Sequence, residues 1–371
     1  MTSKHQKSLH PNVHLAFSPW SEKGTLHVAC MYSNPQRWPV RREMFNDFRK
    51  RMEASANVKL YVGEVAFGDR PFEVTDPRNP RDFQFRTIHE LWLKENVLNL
   101  IVSRMPPEAE YVAWLDGDVQ MSRYDWALET IHQLQHYGAV QLFHQFTDSD
   151  YRHRPYCVSN GFAYSYSQSI TADVFHQDPA TARSPGVSQM ASRKPKANPN
   201  HYGGNVCERP ETPPAEKIWW GATGLGWAFN RDTWNDMGGM FDQAILGSAD
   251  WIMGYGMAGL VDDLDIKGCA PYFEAVRNWQ AGALALKADI WYIDNHITHF
   301  WHGPKTNRFY RERERILVEN QFDPNRDLKR DWQGLWQLSG NKPRLRDDLR
   351  AYFRARNEMT QELGPGGRLL A

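Results

Sequence analysis

A chain of 371 residues, 41% of them hydrophobic and fifteen of them tryptophan, is long enough for one large or two ordinary domains. Its 44 basic and 44 acidic side chains balance to a formal net charge of zero, so no global field draws the protein to polyanions. The four cysteines lie far apart without CxxC spacing, which argues against a zinc site or a dense disulfide framework. A polar amino terminus and the absence of any run of about eighteen apolar residues predict a cytoplasmic protein with no membrane segment.

The first third of the sequence alternates between strand and helix patterns. Runs of β-forming residues predict strands at 25–32 and 58–65, and apolar side chains at helical spacing predict a helix over 41–55. A second helix is predicted over 87–105, directly before the apolar run Tyr111–Leu115. Strands that alternate with helices of this length imply parallel pairing and right-handed crossovers. The predicted fold class is therefore α/β, with a Rossmann-like mixed and mainly parallel sheet flanked by helices.

The run Tyr111–Leu115 ends in two acidic residues that flank a glycine, Asp116-Gly117-Asp118. In parallel sheets, ligands bind beyond the carboxyl ends of the strands, which is where these carboxylates are expected. Carboxylate oxygens are the ligands that Mg²⁺ and Mn²⁺ prefer, and such ions usually complete their shell with substrate phosphates. A plain β-turn is the alternative, since Asp-Gly and Gly-Asp are common turn dipeptides.

The middle of the chain changes character. Residues 170–216 are rich in proline, glycine, asparagine and arginine and poor in branched apolar residues, which predicts a long inserted loop. Its basic residues, among them Arg193 and Lys196, belong either to a solvated loop or to a surface that contacts an anionic acceptor.

Glycines and aromatic residues dominate the segment that follows this loop. Trp220, Gly221 and Trp227 are candidates for contact with a substrate, because glycine lets a ligand approach the backbone, while tight core packing is the alternative. Asp250 follows a turn of small residues and opens a predicted helix. It is therefore a candidate either for a helix N-cap or for a general base that projects into the cleft.

A third constellation contains His299, His302, Lys305 and Arg308. A histidine one short turn away from a lysine can complete a divalent metal shell while the ammonium group neutralises a diphosphate. The sequence leaves open whether His299 or His302 binds the metal.

Taken together, these motifs resemble a glycosyltransferase of the GT-A fold over residues 25–318, with a tail at 1–24 and a helical extension at 319–371. The Asp116-Gly117-Asp118 strand end resembles the nucleotide-binding half of that fold, and the segment that ends at Asp250 resembles the acceptor-side half. The His302-Gly303-Pro304-Lys305 block is similar to the metal and diphosphate element of glycogenin-like enzymes, with a compressed spacing. More narrowly, the chain resembles the phage and kinetoplastid base J glucosyltransferase-like group.

The resemblance implies a metal-dependent, inverting hexosyltransferase that uses UDP-glucose or a related UDP-sugar. Under this hypothesis each candidate residue has a role: Asp116, Asp118 and His302 bind Mn²⁺ or Mg²⁺; Lys94, Asn99, Asp116 and Lys305 contact the nucleotide-sugar; Asp250 is the catalytic base; and Trp220, Gly221, Trp227 and Arg308 contact the substrates. The acceptor implied by the narrower group is hydroxymethyluracil in DNA.

Several alternatives stay open at this point. The acceptor is either a hydroxymethylpyrimidine in DNA or a glycan, a protein or a small molecule. A nucleotidyltransferase could use the same pair of aspartates, and it would release pyrophosphate. A third hypothesis is a nucleic-acid-binding protein with a degenerate transferase core. The donor sugar and the oligomeric state are not encoded in any readable motif.

Overall fold

The computed structural model describes residues 24–175, 221–264, 266, 268–287, 289–303, 308–309 and 312–356, with the backbone alone at 169–175 and 312. Within these residues the strands are β1 (Leu26–Ser33), β2 (Val58–Phe67), β3 (Asp82–Thr87), β4 (Tyr111–Leu115), β5 (Val119–Met121), β6 (Ala139–Gln141), β7 (Gln145–Ser149), β8 (Pro155–Asn160), β9 (Gly226–Asn230), β10 (Ile290–Tyr292), β11 (His296–His299), β12 (Leu328–Arg330) and β13 (Trp336–Leu338). The helices are α1 (Pro39–Ala54), α2 (Lys94–Arg104), α3 (Trp126–Leu134), α4 (Phe162–Phe175), α5 (Arg231–Asp236), α6 (Ala249–Met257), α7 (Ala270–Ala283), α8 (Glu312–Glu319), α9 (Pro324–Asp327) and α10 (Pro343–Ala355).

The main sheet has seven strands in the order β10-β6-β9-β4-β1-β2-β3. Strand β9 runs antiparallel to its neighbours β4 and β6, while the other pairs in this sheet are parallel. A second sheet of four strands, β5-β11-β7-β8, contains the segments that follow β4 and β6. The predicted α/β class with a mixed, mainly parallel sheet is confirmed.

Helices cover both faces of the main sheet. On one face, α1 buries Phe45, Phe48 and Met52, which contribute to an apolar cluster shared with β1 and α3. On the other face, α2 buries Val97 and Ile101 in a larger cluster that includes α6 and α7. Helical periodicity gathers the apolar side chains of α1 and of α2 on one face of each helix. Burial of each large apolar side chain contributes roughly 1.5–3 kcal/mol, so these faces hold the two helices on the sheet.

The predicted elements differ from the structure mainly between β2 and β4. The helix predicted over 87–105 begins only at Lys94, because residues 82–87 form strand β3 beside β2. Between β3 and α2 the chain is held by a segment that is distant in sequence, with the Trp92 amide donating to the Ile245 carbonyl at 2.9 Å. The strands at β1 and β2, the helix α1 and the strand β4 lie where the sequence predicts them.

The carboxyl-terminal segment is less helical than predicted, because β12 and β13 form an antiparallel pair between α9 and α10. This hairpin is fastened to the domain. The Gln333 side chain accepts from the Arg86 amide at 2.9 Å and donates to the Arg86 carbonyl at 2.8 Å, and Asn96 Oδ1 accepts from the Trp336 amide at 3.0 Å. The segment therefore packs on the same core as residues before 319.

Much of the long insertion predicted at 170–216 lies outside the described residues, as do most of the predicted tail at 1–24 and the final residues after 356. Its first residues, 170–175, continue helix α4. Among the residues that the structure describes, no helix has both the length and the apolar character that a membrane crossing requires.

Candidate active site

Asp116, Gly117 and Asp118 directly follow β4, at the edge of the sheet where the parallel strands β1, β4 and β6 reach their carboxyl ends. The Asp116 amide donates to the Leu225 carbonyl at 3.0 Å, which ties the turn to the loop before β9. At Gly117 a Cβ atom would lie 2.8 Å from Phe45 Cδ2, so only glycine lets this turn pass α1 without displacing it. The turn therefore presents both carboxylates at the edge where ligands bind in such sheets.

Two histidines reach Asp118 through the second sheet. Strand β5 follows Asp118 and pairs antiparallel with β11, with Val119 opposite His299. The Phe300 amide then donates to the Asp118 carbonyl at 2.9 Å, which holds the end of β11 against the turn. This pairing places His299 and His302 beside a carboxylate that is remote in sequence.

Asp118, His299 and His302 form a group whose potential ligand atoms all lie within 4.8 Å of one another. Asp118 Oδ2 lies 3.2 Å from His302 Nε2, and Asp118 Oδ1 lies 3.7 Å from His299 Nε2. One carboxylate and two imidazoles suit Mn²⁺ better than Mg²⁺, because Mg²⁺ favours an all-oxygen shell.

The His302 nitrogen that faces Asp118 is also in contact with Arg308. Arg308 Nη2 lies 3.0 Å from His302 Nε2, and because a guanidinium can only donate, Nε2 is the acceptor in that contact. An imidazole nitrogen has a single lone pair, so a metal ion at His302 Nε2 would have to displace Arg308 from that atom. The potential ligand atoms of Asp118, His299 and His302 face one another around a common point. A metal ion stabilises such an arrangement of electron-pair donors, so these residues fit a divalent metal.

A further carboxylate orients His299. His299 Nδ1 lies 2.6 Å from Asp148 Oδ1, and both side chains are more than nine-tenths buried. The contact follows from strand register, since β7 and β11 run parallel with Asp148 opposite His299. A carboxylate on Nδ1 holds that nitrogen protonated and leaves Nε2 as the ligand atom, as at many metal-binding histidines.

The charge around Asp118 keeps it ionised. Burial alone would raise the pKa of this carboxyl, but the nearby His302, His299, Arg41 and Arg308 outweigh burial and lower the pKa below its ordinary value. Arg41 is itself fixed at the end of β1, where its Nη1 donates to the Ser33 carbonyl at 3.0 Å. An ionised carboxylate that is stabilised by the charge of two arginines is suited to a site that binds both a metal and an anion.

A second charged cluster surrounds Lys94, the first residue of α2. Lys94 Nζ lies 3.0 Å from Asp116 Oδ1, 3.7 Å from Glu95 Oε1 and 4.7 Å from the centre of the Trp114 ring. Asp116 Oδ2 accepts from the Leu225 amide at 3.3 Å. Asp116 is thus engaged by a lysine and a backbone amide, whereas the triad around His302 uses Asp118.

Asp250 lies on the Asp116 side of the site. It is the second residue of α6, whose N-cap is Ser248, so the N-cap alternative for Asp250 is wrong. Its carboxylate packs on the loop before β9, because a Cβ atom on Gly224 would lie 2.6 Å from Asp250 Oδ2. Its charge also raises the pKa values of Lys94 and Glu95. Asp250 therefore belongs to the same electrostatic cluster as Lys94 and Asp116.

Glu95 is the member of this cluster that sequence analysis missed. Its side chain is 3% exposed, and its Oε1 accepts no hydrogen bond from the described residues. Burial raises its pKa to about 7, with Lys94 opposing the shift and Asp250 and Asp116 adding to it. Glu95 therefore takes up a proton near neutral pH, which relieves the excess of negative charge around Lys94.

Glu95 makes the stability of the fold depend on pH. Because the folded pKa lies above the ordinary value of 4.5, the contribution of this group to stability is fully present below pH 4.5 and is lost as the pH rises through about 7. We expect Glu95→Gln to remove this loss, so that near pH 8 the variant is more stable than wild type by on the order of 1–3 kcal/mol. Urea unfolding between pH 5 and pH 8 measures the difference, and parallel pH profiles for the two proteins would contradict it.

Four further residues were predicted to contact the ligands without being assigned to the metal or to the base. Arg308 contacts His302, as described above. Gly221 opens the second described segment with φ +92°, a conformation that favours glycine. Trp220 and Lys305 lie outside the described residues.

Two predicted contacts with the ligands do not fit the structure. Trp227 is fully buried, and its Nε1 donates to the Thr223 carbonyl at 2.8 Å, so it belongs to the core and offers no surface to a substrate. Asn99 uses its amide on the backbone of Met240, accepting at 2.9 Å and donating at 2.9 Å. The cleft that Asn99 lines also contains Asp242 and Arg330 and includes none of the residues around Asp118.

Asp148, Glu95 and Arg41 complete the site but were not predicted. Asp148 is a carboxylate within a strand, and only the register of β7 with β11 shows its role. Glu95 and Arg41 each lie in the first turn of a helix that begins near the ligand edge of the sheet. A charged residue at such a position is the signal that could have indicated them.

No protein-family profile matches the chain. A comparison with curated proteins likewise finds no match. A comparison with solved structures finds partial similarity to S. aureus TarS 1–349, with a TM-score of 0.32 and 7% identity, and this chain covers less than two thirds of that chain (80% of this chain and 65% of that chain).

Two galactosyltransferase structures are also similar. The galactosyltransferase LgtC in complex with donor and acceptor sugar analogs has a TM-score of 0.32 and 9% identity, over 79% of this chain and 95% of that chain. The catalytic domain of Drosophila β1,4-galactosyltransferase 7, in complex with xylobiose, has a TM-score of 0.29 and 9% identity, over 86% of this chain and 98% of that chain. Because these TM-scores are low, the function of this chain has to follow from its own residues.

Proposed function

We propose that the chain is a metal-dependent glycosyltransferase that moves a hexose from a UDP-sugar, with UDP-glucose as the leading donor, to a hydroxyl group of an acceptor. The observation that carries the proposal is the group of Asp118, His299 and His302 at the carboxyl edge of a mainly parallel sheet. A second charged cluster with Lys94, Asp116 and Asp250 adjoins it. We infer that residues 25–318 form the transferase domain.

The metal site uses Asp118, His299 and His302, with Asp148 behind His299. A bound Mn²⁺ would act as a Lewis acid on a diphosphate. Arg41 and Arg308 both lower the pKa of Asp118 by their charge and would supply positive charge for the same diphosphate, and Lys305 is a further candidate by its place in sequence. Charge-assisted hydrogen bonds from guanidinium groups suit phosphate oxygens, so these residues both bind the donor and stabilise its leaving group.

Asp250 is the proposed general base. Its carboxylate lies by Gly224 on the Asp116 side of the site, in a position to accept the proton of an acceptor hydroxyl as that oxygen forms its bond to the sugar. The sugar-phosphate bond breaks in the same displacement, and the electron pair leaves with the nucleoside diphosphate. A single displacement of this kind inverts the anomeric centre.

Lys94 has a different proposed role from the two arginines. It neutralises Asp116 and lies near Glu95 and Asp250, so it holds three carboxylates in one cluster. We propose that this cluster orients the hydroxyl groups of the donor sugar, because hydrogen-bonded carboxylates and an ammonium group fix the positions of such groups in a buried site.

Incubation with UDP-glucose and Mn²⁺ tests this function. Release of UDP, with transfer of sugar to an added acceptor and loss of both on chelation, is the expected result. The acceptors to compare are DNA that contains hydroxymethyluracil, which the sequence resemblance implies, and neutral oligosaccharides. Release of pyrophosphate when UTP and glucose 1-phosphate replace UDP-glucose would identify a nucleotidyltransferase, and the absence of UDP release from UDP-glucose with all acceptors would contradict the proposal.

The role of Asp148 gives a sharper test of the metal site. We expect Asp148→Asn to weaken Mn²⁺ binding about 10- to 100-fold, because His299 loses the carboxylate that fixes its tautomer and orientation. Titration with Mn²⁺ followed by calorimetry measures the affinity. Asp294→Asn is the matched control, since Asp294 is an exposed carboxylate 3.2 Å from the Nδ1 of a different histidine, His144. Equal Mn²⁺ affinity in wild type and Asp148→Asn would mean that His299 is not a ligand.

A further inference from the structure

A continuous series of aromatic rings lies along the outer strand β10 of the main sheet and ends at the first residue of β11. We call it the aromatic ladder, and its rings belong to Tyr137, Trp291, Tyr292, Tyr164, His144 and His296, all of which are half-buried. It is distinct from the metal group and from the Lys94 cluster. Extended aromatic surface that remains accessible at a sheet edge usually marks a place where something binds.

The rings contact one another in sequence along the ladder. Tyr137 and Trp291 stack with centroids 5.0 Å apart and an angle of 7° between their planes, and Trp291 stacks on Tyr292 at 5.2 Å. Tyr164 meets Tyr292 edge-on at 5.2 Å and His144 at 5.9 Å. These contacts fix the rings in place, so a ligand would meet a preformed surface.

The last ring lies on the strand that ends at the metal group. His144 and His296 lie 6.4 Å apart, and His296 begins the strand β11 that ends at His299. Strands rise about 3.3 Å per residue, so the backbones of His296 and His299 lie roughly 10 Å apart, with the two side chains on opposite faces of β11. A ligand that follows the ladder therefore has to pass from one face of β11 to the other to reach the carboxyl edge of the sheet, where Asp118 and Asp250 lie.

The charges around the ladder favour a neutral ligand over a polyanion. Asp289 and Asp294 lie at its two ends in the chain segment around β10. The cation next to Asp294 is Arg123, which already pairs with Asp125 at 2.8 Å and with Glu129 at 3.8 Å. No arginine or lysine of the described segments stacks over a ring of the ladder. Nucleic acids need cations for their phosphates, whereas sugars need none.

We propose that the aromatic ladder binds a neutral oligosaccharide built of hexoses, which serves as the acceptor of the sugar transfer. This proposal rests on the proposed function. The apolar faces of pyranose rings pack on aromatic rings, while the tyrosine hydroxyls, the imidazoles and the two carboxylates at the ends of the ladder bond to sugar hydroxyls. The end of the chain nearest His296 is the end that reaches the active site.

Binding of maltohexaose, cellohexaose and chitohexaose by saturation-transfer NMR and calorimetry tests the proposal without any donor. We expect at least one of the three to bind wild-type protein, and Trp291→Ala to weaken that binding about tenfold or more. Tyr292→Ala is a second variant, in case Trp291→Ala does not fold. Trp332→Ala is the matched control, because Trp332 is 91% exposed and lies in the β12–β13 hairpin.

The outcomes separate this proposal from the proposed function. Failure of all three hexasaccharides to bind, or equal binding by the Trp291→Ala and Tyr292→Ala variants, would overturn the ladder as an acceptor surface. Loss of binding to a twelve-nucleotide single-stranded DNA in Trp291→Ala, with no saccharide binding, would overturn it in favour of nucleic acid. Saccharide binding that needs Trp291, together with no release of UDP from UDP-glucose, would support the ladder and contradict the transferase.

Discussion

Asp118→Asn is expected to abolish Mn²⁺-dependent sugar transfer while leaving the fold intact. The substituted amide would keep the shape of the side chain but would remove the only carboxylate of the described group that faces both His299 and His302. Metal ligands of this kind bind as anions, and the surrounding cations hold Asp118 in its ionised form by lowering its pKa. The variant would therefore leave two imidazoles and two arginines around a point where the metal has lost its charged ligand.

The measurement is UDP release from UDP-glucose, with Mn²⁺ affinity by calorimetry and stability by urea unfolding. The aspartate side chain is 22% exposed at a strand end, so we expect only a small change in the free energy of unfolding. Asp116→Asn is the informative comparison, because Asp116 bonds to Lys94 and the Leu225 amide. We expect Asp116→Asn to retain Mn²⁺ affinity within a few-fold. Normal turnover in Asp118→Asn would rule out the metal site at these residues.

Asp250→Asn is expected to lower kcat about a hundredfold or more while UDP and Mn²⁺ affinities stay close to those of wild type. The size of the effect is that of a removed general base. The geometry separates the proposed proton transfer from metal binding. Asp250 lies by Gly224 and the Lys94 cluster, whereas the metal group is on the Asp118 side. Asparagine fills the same space but cannot accept the proton of the acceptor hydroxyl.

Initial rates over a range of UDP-glucose concentrations, with UDP binding measured separately, distinguish the base from a donor ligand. Asp263→Asn serves as the control, since Asp263 is an exposed carboxylate shortly after the same helix. Gly224→Ala gives an independent perturbation, because its Cβ would lie 2.6 Å from Asp250 Oδ2 and displace the carboxylate. A fall in donor affinity as large as the fall in kcat would place Asp250 in the donor site.

Local patterns in the sequence were sufficient for the parts of the fold that local physics controls. The apolar run Tyr111–Leu115 is buried at every position as β4, and α1 buries three of the four apolar residues whose helical spacing predicted it. The placement of Asp116 and Asp118 at the carboxyl edge of a parallel sheet follows from these same patterns. The roles assigned to Asp118, His302 and Asp250 remain predictions that the experiments above decide.

Two errors show where such patterns fail. Residues 82–93 were not recognised as a strand followed by a loop, because β3 is defined by its pairing with β2 and the loop is held by a hydrogen bond to Ile245. Trp227 is a candidate for substrate binding by sequence because glycines surround it, yet its side chain points from β9 into the core and is fully buried. A sequence records that glycine and tryptophan are adjacent, but not which side of the strand faces solvent.

The sequence by itself determined the α/β class, the strand that presents the Asp pair and the chemical types of the candidate ligands, because hydrophobic period and turn chemistry act over a few residues. Only the tertiary structure decided that Asp118 groups with both His299 and His302, that Asp116 belongs with Lys94, and that Asp148 and Glu95 complete the two clusters. The reason is register. Strands β5, β7 and β11 come from separate parts of the chain, and which side chains meet depends on how their backbones pair.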